Sequence, residues 1–537
     1  MVPGILKLVS RSIKFYRRPV FYQILIIALL SAVITGSLLT DRSVKTSLKR
    51  TASERLGKTG IVISSGSRFF DISLASRIRE IAQINCSGIL EMTGYCQNLS
   101  TQKGVFNTHI YAVNSDFFLF HDHDKINIKS GEVAVNEKLA KYLGLKTGDQ
   151  LIIRFKDNND IPADAPFAPA KETGRSVVMS VGSILGSVST GNFSLSISQI
   201  MPLNIFINLS DIIDNPGKKI KINRLLIENK NDFSTDKVYD ILKQVMKPSD
   251  IGLNLNMVKK TGGFELSSDR IFVDNSIISE IQKVFPVSAP VITYLGNRFV
   301  AGTRSTPYSF VAALPSSIYP EIFEGDGITI NRWLANDLAV NQGDTLDMFW
   351  YSPDSLNKLT EKSNRFLINR IVEMQGIWAD SMLMPDFPGI SGSESCSDWD
   401  AGVLVKLDDI RNKDEDYWNK FRGTPKAFIN YEKGKEMWGN NFGPATAIRF
   451  PSGISGSEIA AKLSGSIAPD RTGFSVTNLS DESFKAANDS VDFGTLFLSL
   501  GIFLILASIV LLSFAVKSYF DSKQAQINTY YALGFKY

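Results

Sequence analysis

Two stretches of this chain are set apart by what they lack. Residues 20–39 (VFYQILIIALLSAVITGSLL) run 20 positions without a charge, and residues 493–516 (FGTLFLSLGIFLILASIVLLSFAV) run 24. As helices rising about 1.5 Å per residue, each is long enough to cross a hydrocarbon layer about 30 Å thick. The first has too long an apolar part for a signal peptide. The chain reads Gly36-Ser-Leu-Leu-Thr-Asp where a small-residue cleavage site would stand, so the segment is expected to remain as an anchor.

Flanking charge orients the two spans. Lys7, Arg11, Lys14, Arg17 and Arg18 precede the first, but Arg42, Lys45, Lys49, Arg50, Arg55 and Lys58 follow it, so this span alone is a tie. The second breaks it. Lys485 is the single basic residue in 473–492, against Lys517, Lys523 and Lys536 beyond the span. The positive-inside rule puts the C-terminus in the cytoplasm, and two spans put the N-terminus there too. Residues 40–492 are then extracytoplasmic. With 58 basic and 54 acidic residues, the composition shows no nucleic-acid footprint.

The stretch 52–59 (ASERLGKT) fits a loose phosphate-loop pattern, but the order of elements is reversed. Val44, Leu48, Ala52 and Leu56 recur every four residues before the glycine, and a β-like run follows it. A phosphate loop follows a strand and opens a helix. Here Gly57 reads as a helix stop with basic residues in the last turn.

The external region repeats itself. Residues 133–155 (VAVNEKLAKYLGLKTGDQLIIRF) and 328–350 (ITINRWLANDLAVNQGDTLDMFW) share seven of 23 positions. Both read as strand, short helix, Gly-Asp turn and strand, with Asn136 and Asn331 as helix caps. IFINLSDI at 205–212 matches VLVKLDDI at 403–410. A β-α-β pattern at 223–258 matches one at 445–479, and RFFDISLASRIREI from Arg68 resembles RIFVDNSIISEI from Arg270. Four landmarks in the same order indicate duplication. The expected fold class is therefore a membrane-anchored α+β protein, with two transmembrane helices flanking a large extracytoplasmic domain of two similar α+β modules. The expected divisions are a basic amphipathic segment (1–19), span (20–39), stem helix (40–57), first copy (58–262), second copy (263–480), returning stem (481–492), span (493–516) and cytoplasmic segment (517–537). The exposed loops at 162–169 and 389–400 read as the least structured stretches.

Site chemistry is sparse. With three histidines and three cysteines, metal chemistry rich in either is excluded. His121 and His123, alternating with Asp122 and Asp124, are weak candidate metal ligands if they share one face of a strand; no third partner is visible, and the plainer reading of the run is a loop. Cys86 and Cys96, outside the cytoplasm, are a candidate disulfide, with Cys396 left over. No catalytic constellation is visible, so neither a catalytic role nor a cofactor is expected. In the tail, Ile527, Tyr530, Tyr531 and Leu533 lie broadly on one side of a short helix capped by Gly534, either as membrane-surface residues or as a docking face for a cytoplasmic partner.

Several of these features resemble the FtsX-like (MacB-type) permease subunits of bacterial ABC transporters. They are the basic lead from Leu6 to Arg18, Arg55-Leu-Gly-Lys-Thr, Ser64-Ser-Gly-Ser-Arg-Phe-Phe, the Leu139–Leu151 run LAKYLGLKTGDQL, and Ala532-Leu-Gly-Phe. The resemblance implies an inner-membrane subunit without an ATPase site, a cytoplasmic ABC ATPase partner docking on the tail, and a homodimer or pseudo-dimer. It also implies ATP-driven movement of the external domain for export, extraction or mechanotransmission. Gln526 and Tyr531 stand where the family has acidic and arginine residues. The family has three spans after the external domain and this sequence has one, so the chain is expected to be an N-terminal fragment. Rival readings are a membrane-anchored sensor and an external hydrolase on two anchors.

Overall fold

The computed structural model describes residues 2–121, 126–156, 161–162, 165–168, 174–186, 190–198, 200–212, 219–230, 233–322, 325–353, 359–399, 405–489 and 493–534. The chain forms two compact units. One holds residues 56–194 and 200–479; the other holds 1–55, 195–199 and 480–537.

In the larger unit the first copy runs β1 (Thr59–Ser64), β2 (Phe70–Asp71), α3 (Ser73–Ala82), β3 (Cys86–Asn98), β4 (Gly104–Val113), β5 (Glu132–Asn136), α4 (Glu137–Leu143), β6 (Gln150–Lys156), β7 (Gly174–Leu185), β8 (Asn204–Asn208), β9 (Lys221–Ile222), β10 (Arg224–Glu228), α5 (Thr235–Val245) and β11 (Leu253–Met257). The second runs β12 (Phe264–Ser268), α6 (Asn275–Val284), β13 (Ala289–Ala301), β14 (Arg304–Leu314), β15 (Gly327–Asn331), α7 (Arg332–Leu338), β16 (Thr345–Pro353), β17 (Leu359–Val372), α8 (Asn412–Phe421), β18 (Ala427–Asn430), α9 (Tyr431–Trp438), β19 (Ala447–Phe450), α10 (Gly456–Leu463) and β20 (Ser475–Asn478). The smaller unit holds α1 (Val2–Phe15), α2 (Arg17–Leu56), α11 (Leu479–Asp489) and α12 (Phe493–Ala532), the end residues Leu56 and Leu479 falling in the larger.

Two nine-stranded sheets share one topology. The first is ordered β20-β1-β10-β3-β4-β8-β5-β7-β6 and the second β11-β12-β19-β13-β14-β18-β15-β17-β16. In each, the far end curls back, β6 onto β3 and β16 onto β13. The repetition extends to detail. β5 and β15 run parallel to β7 and β17, each with a bulge at the aligned position, Val133/Ala134 and Ile328/Thr329. Asn136 accepts from the Leu139 amide at 3.1 Å and Asn331 from that of Leu334 at 2.8 Å. The side chains of Asp149 and Asp344 each close the following turn by accepting an amide at 2.8 Å.

The boundary at residues 262 and 263 does not divide the sheets. β11 belongs by sequence to the first copy but pairs with β12 of the second, and β20 belongs to the second but pairs with β1 of the first. Each copy thus supplies the outermost strand of the other's sheet. One apolar cluster spans the exchange, joining Leu74 and Ile78 of α3, Leu242 of α5, Ile277 and Ile281 of α6, and Ile459 and Leu463 of α10. Arg68 and Asp274 form an ion pair between the copies.

Three further expectations need correction. The strand opposite β8 in the second sheet is AFIN at 427–430, whereas in the matched run VLVKLDDI, residues 407–409 form a single 3-10 turn and 403–404 lie outside the described residues. The loop around 162–169 is anchored, because Phe167 is buried in the second copy's core, with its ring 4.7 Å from Tyr294 and 4.5 Å from Phe387. Within 389–400, Ile390, Cys396 and Trp399 are buried in the same core.

One difference between the copies is energetically informative. α4 ends on Gly144 at φ 65°, and α7 ends at the aligned position on Ala339 at φ 52°. A left-handed conformation costs a residue bearing Cβ roughly 1–2 kcal/mol. Ala339→Gly should therefore raise the urea midpoint, by about 1 kcal/mol in stability, and Gly144→Ala should lower it by a similar amount although its new Cβ meets no atom within 4 Å.

Candidate functional site

The smaller unit is built on two 40-residue helices, α2 and α12. At about 1.5 Å per residue each is about 60 Å long. α2 carries the first uncharged run and the expected stem without a break, and α12 carries the second run and most of the tail. The expected divisions at 39/40 and 516/517 are therefore not breaks in the helices. α11 occupies the returning stem up to Asp489, and residues 490–492 lie outside the described residues. Over the described residues, no helix is long and apolar enough to cross a membrane. Both uncharged runs are nevertheless helical throughout.

Polar contacts fix the register of the pair. Gln23 Nε2 donates to the Ala515 carbonyl at 3.2 Å, inside the apolar runs. Tyr16 Oη lies 3.5 Å from both the Ser522 carbonyl and Gln526 Oε1. Lys523 Nζ donates to Ser12 Oγ at 2.5 Å and sits 4.8 Å from the Tyr16 ring and 4.4 Å from the Tyr519 ring. The Lys523 ammonium beside the Tyr519 hydroxyl lowers that group's pKa. Partner numbers fall on one helix as they rise on the other, so the helices are antiparallel. Continued in this register, residues 20–39 face roughly residues 499–518, which brings the two apolar runs to one level. The basic residues of α1 and the start of α2 then share an end with Lys517 and Lys523.

α1 has two faces. Leu6, Val9 and Ile13 line one and are exposed, while Lys7, Arg11 and Lys14 line the opposite one. Pro19 removes one amide from the α1–α2 junction, where Tyr16 stands as a turn, so the ladder is interrupted there. At the other end of α2, Arg55 donates to the Ser198 carbonyl. The helix stops at Gly57, at φ 56°, and β1 begins at Thr59. The ASERLGKT stretch is thus a helix C-terminus followed by a strand, which faces carbonyls rather than amides toward any phosphate.

No protein-family model matches this chain, and no curated protein matches it. Among solved structures, it is similar to the periplasmic region of MacB from Actinobacillus actinomycetemcomitans, at 11% identity over 36% of this chain and 84% of that one, with a TM-score of 0.24. It is also similar to the extracellular domain of the ABC-type transporter YknZ from Gram-positive bacteria, at 10% identity over 32% of this chain and 85% of that one, with a TM-score of 0.19.

The tail residues divide. Ile527, Tyr530 and Tyr531 fall at i, i+3 and i+4 of α12 and share a face, with both tyrosines exposed. Leu533 lies about 120° around the axis, off that face. The segment is the end of a long helix rather than a short separate one, and Gly534 closes it at φ 82°. The candidate disulfide is corrected outright. Cys86 and Cys96 sit ten positions apart on the single strand β3, about 33 Å apart at ~3.3 Å per residue, far beyond disulfide reach. All three thiols are free and buried, and burial pushes Cys86 to about 12 and Cys96 to about 11. His121 is buried against Phe117 and Phe193, and His123 lies outside the described residues. Among the described residues no three His, Cys, Asp or Glu side chains are grouped to hold a metal.

No individual role is assigned from the sequence to Tyr16, Gln23 or Tyr519, and Lys523 enters only as a flanking charge. Gln23 was the available signal, because an amide in an uncharged run needs a partner. The register makes a direct prediction. Gln23→Cys with Ala515→Cys, in a chain whose native cysteines are replaced by serine, should cross-link under mild oxidation, while Gln23→Cys with Phe503→Cys should not.

Proposed function

We propose that this chain is the non-ATPase permease subunit of a bacterial ABC transporter, held in the plasma membrane by α2 and α12. Residues 40–492 stand outside and both termini lie in the cytoplasm. The observation that carries the reading is the antiparallel register, which levels two uncharged runs of 20 and 24 residues and gathers basic residues at one end. That pattern fits a single bilayer slab with a positive cytoplasmic rim. The motifs quoted above, from Leu6 to Ala532, support the family.

The connections favour transmission of movement. α2 passes through Gly57 into β1, and β20 runs straight into α11. β1 and β20 are paired neighbours, with Ile61 opposite Asn478 and Ser64 opposite Ser475. The chain therefore enters and leaves its external unit on adjacent strands, one from each copy. Movement of either helix would load the strand pair that ties the copies together. Ile527, Tyr530 and Tyr531 would receive a cytoplasmic ABC ATPase, as tyrosines at a helix end make effective anchors. The active assembly would be a homodimer or a pseudo-dimer with a related subunit. ATP hydrolysis would belong to the ATPase alone.

In cells that make the tagged chain, an ABC ATPase should co-purify with it. The double variant Tyr530→Ala/Tyr531→Ala should cut that recovery about tenfold or more while leaving the chain in the membrane fraction. Recovery of no ATPase, or a soluble chain, would contradict the proposal.

A further inference from the structure

A β-sheet edge exposes a row of backbone donors and acceptors, and folded proteins close or guard such edges. In both sheets one end is closed, by β6 on β3 and by β16 on β13. The open ends among the described residues are β20 and β11. β20 is four residues long and runs directly into a helix. β11 is five residues long and borders a groove lined by Lys247, Pro248, Leu255, Ala460, Leu463 and Ser464.

Hydrogen bonding shows which groups β11 leaves open. Its antiparallel partner is β12, with Leu253 opposite Ser268 and Met257 opposite Phe264. Just beyond the pair, the Asp269 amide donates to the Gly252 carbonyl at 2.8 Å, and the Val258 amide donates to the Gly263 carbonyl at 2.9 Å. Bonded and non-bonded pairs alternate in an antiparallel ladder, so Asn254 and Asn256 also bond to β12. The amides and carbonyls of Leu253, Leu255 and Met257 then face away from β12; Leu253 is buried, and those of Leu255 and Met257 lie along the open part of the edge.

The exposed charge flanking this edge is basic, and Asp269, which accepts from the Asn254 side chain of β11 at 2.6 Å, is already paired with Lys221. Lys243, Lys247, Lys259 and Lys260 are exposed. Asp250, the one acid in 243–263, is buried and paired with Arg77. On the opposite wall Glu458 is already paired with Lys462. A second copy of β11 would bring its own lysines against these, which like-charge repulsion disfavours.

We propose that the β11 edge is a docking site for an extended, acidic segment of a separate protein. The segment adds as a further strand beside the Leu255–Met257 end of β11, its backbone bonds to Leu255 and Met257, and its acidic residues meet the flanking lysines. This goes beyond the transport reading and does not depend on it.

The test uses the full chain in detergent and a fluorescein-labelled decapeptide of alternating Thr and Val with Asp-Glu at each end. Fluorescence anisotropy should show saturable binding, and hydrogen exchange at Leu255 and Met257 should slow when the peptide is present. Met257→Pro removes an outward amide without touching the β12 ladder, and should weaken binding about tenfold or more, while Met257→Ala should bind as the parent does. The same peptide with Lys-Arg ends should bind about tenfold or more weakly. An unchanged thermal midpoint for Met257→Pro would exclude misfolding as the cause, and if it does shift, slowed exchange at Leu255 and Met257 in the parent decides alone. Absent binding, equal binding of both peptides, insensitivity of a folded Met257→Pro variant, or unslowed exchange would each overturn the proposal. So would self-association of the parent chain that Met257→Pro abolishes.

Discussion

The architecture of the larger unit depends on the reciprocal exchange of β11 and β20. Neither copy can form its nine-stranded sheet without a strand from the other, and the helices preceding those strands, α5 and α10, share one apolar cluster with α3 and α6. Separating the copies would open two strand pairs and expose that cluster to water, at about 25 cal/mol per Å² of apolar surface. Phe167 adds a second fastening, since it projects from the first copy into the core of the second. Burying a phenylalanine side chain contributes roughly 1.5–3 kcal/mol.

The connections to the long helices meet at this exchange. The strand continuous with α11 is the second copy's contribution to the first copy's sheet, and the strand continuous with α2 is its direct neighbour. Under the proposed function, a displacement carried by either helix would arrive at the exchange itself. Each helix runs 40 residues, and polar contacts at Gln23, Tyr16 and Lys523 fix their register. Sliding by a turn would leave the Gln23 amide without its carbonyl in an apolar setting, an expensive state for a polar group.

Much of this was legible in the sequence, and the gaps have physical reasons. Asn136 and Asn331, followed by Gly-Asp turns, revealed the duplication because caps and turns are local chemistry. The exchange was not legible, since alternation says that 253–257 and 475–478 are strands but not which sheet they join. AFIN at 427–430 is the shorter match to IFIN, and the longer run at 403–410 masks it in the sequence. Pro and Ala around Phe167 read as an unanchored loop, and one buried aromatic ring changes that. A ten-residue spacing suits a hairpin as well as a disulfide, but 86–98 is one continuous strand. The tail tyrosines were visible, whereas Tyr16 and Lys523 meet across more than 500 positions, beyond the reach of any local pattern.

All six tryptophans, from Trp333 to Trp438, lie in the second copy, and Cys86 and Cys96 are buried in the first. Unfolding in urea can therefore be followed in each copy separately, by tryptophan fluorescence and by thiol labelling, in a Cys396→Ser background. Strand exchange and a shared core require both probes to report one transition with a common midpoint. Two separated midpoints, with the thiols of one copy exposed while the tryptophans of the other remain native, would contradict the account.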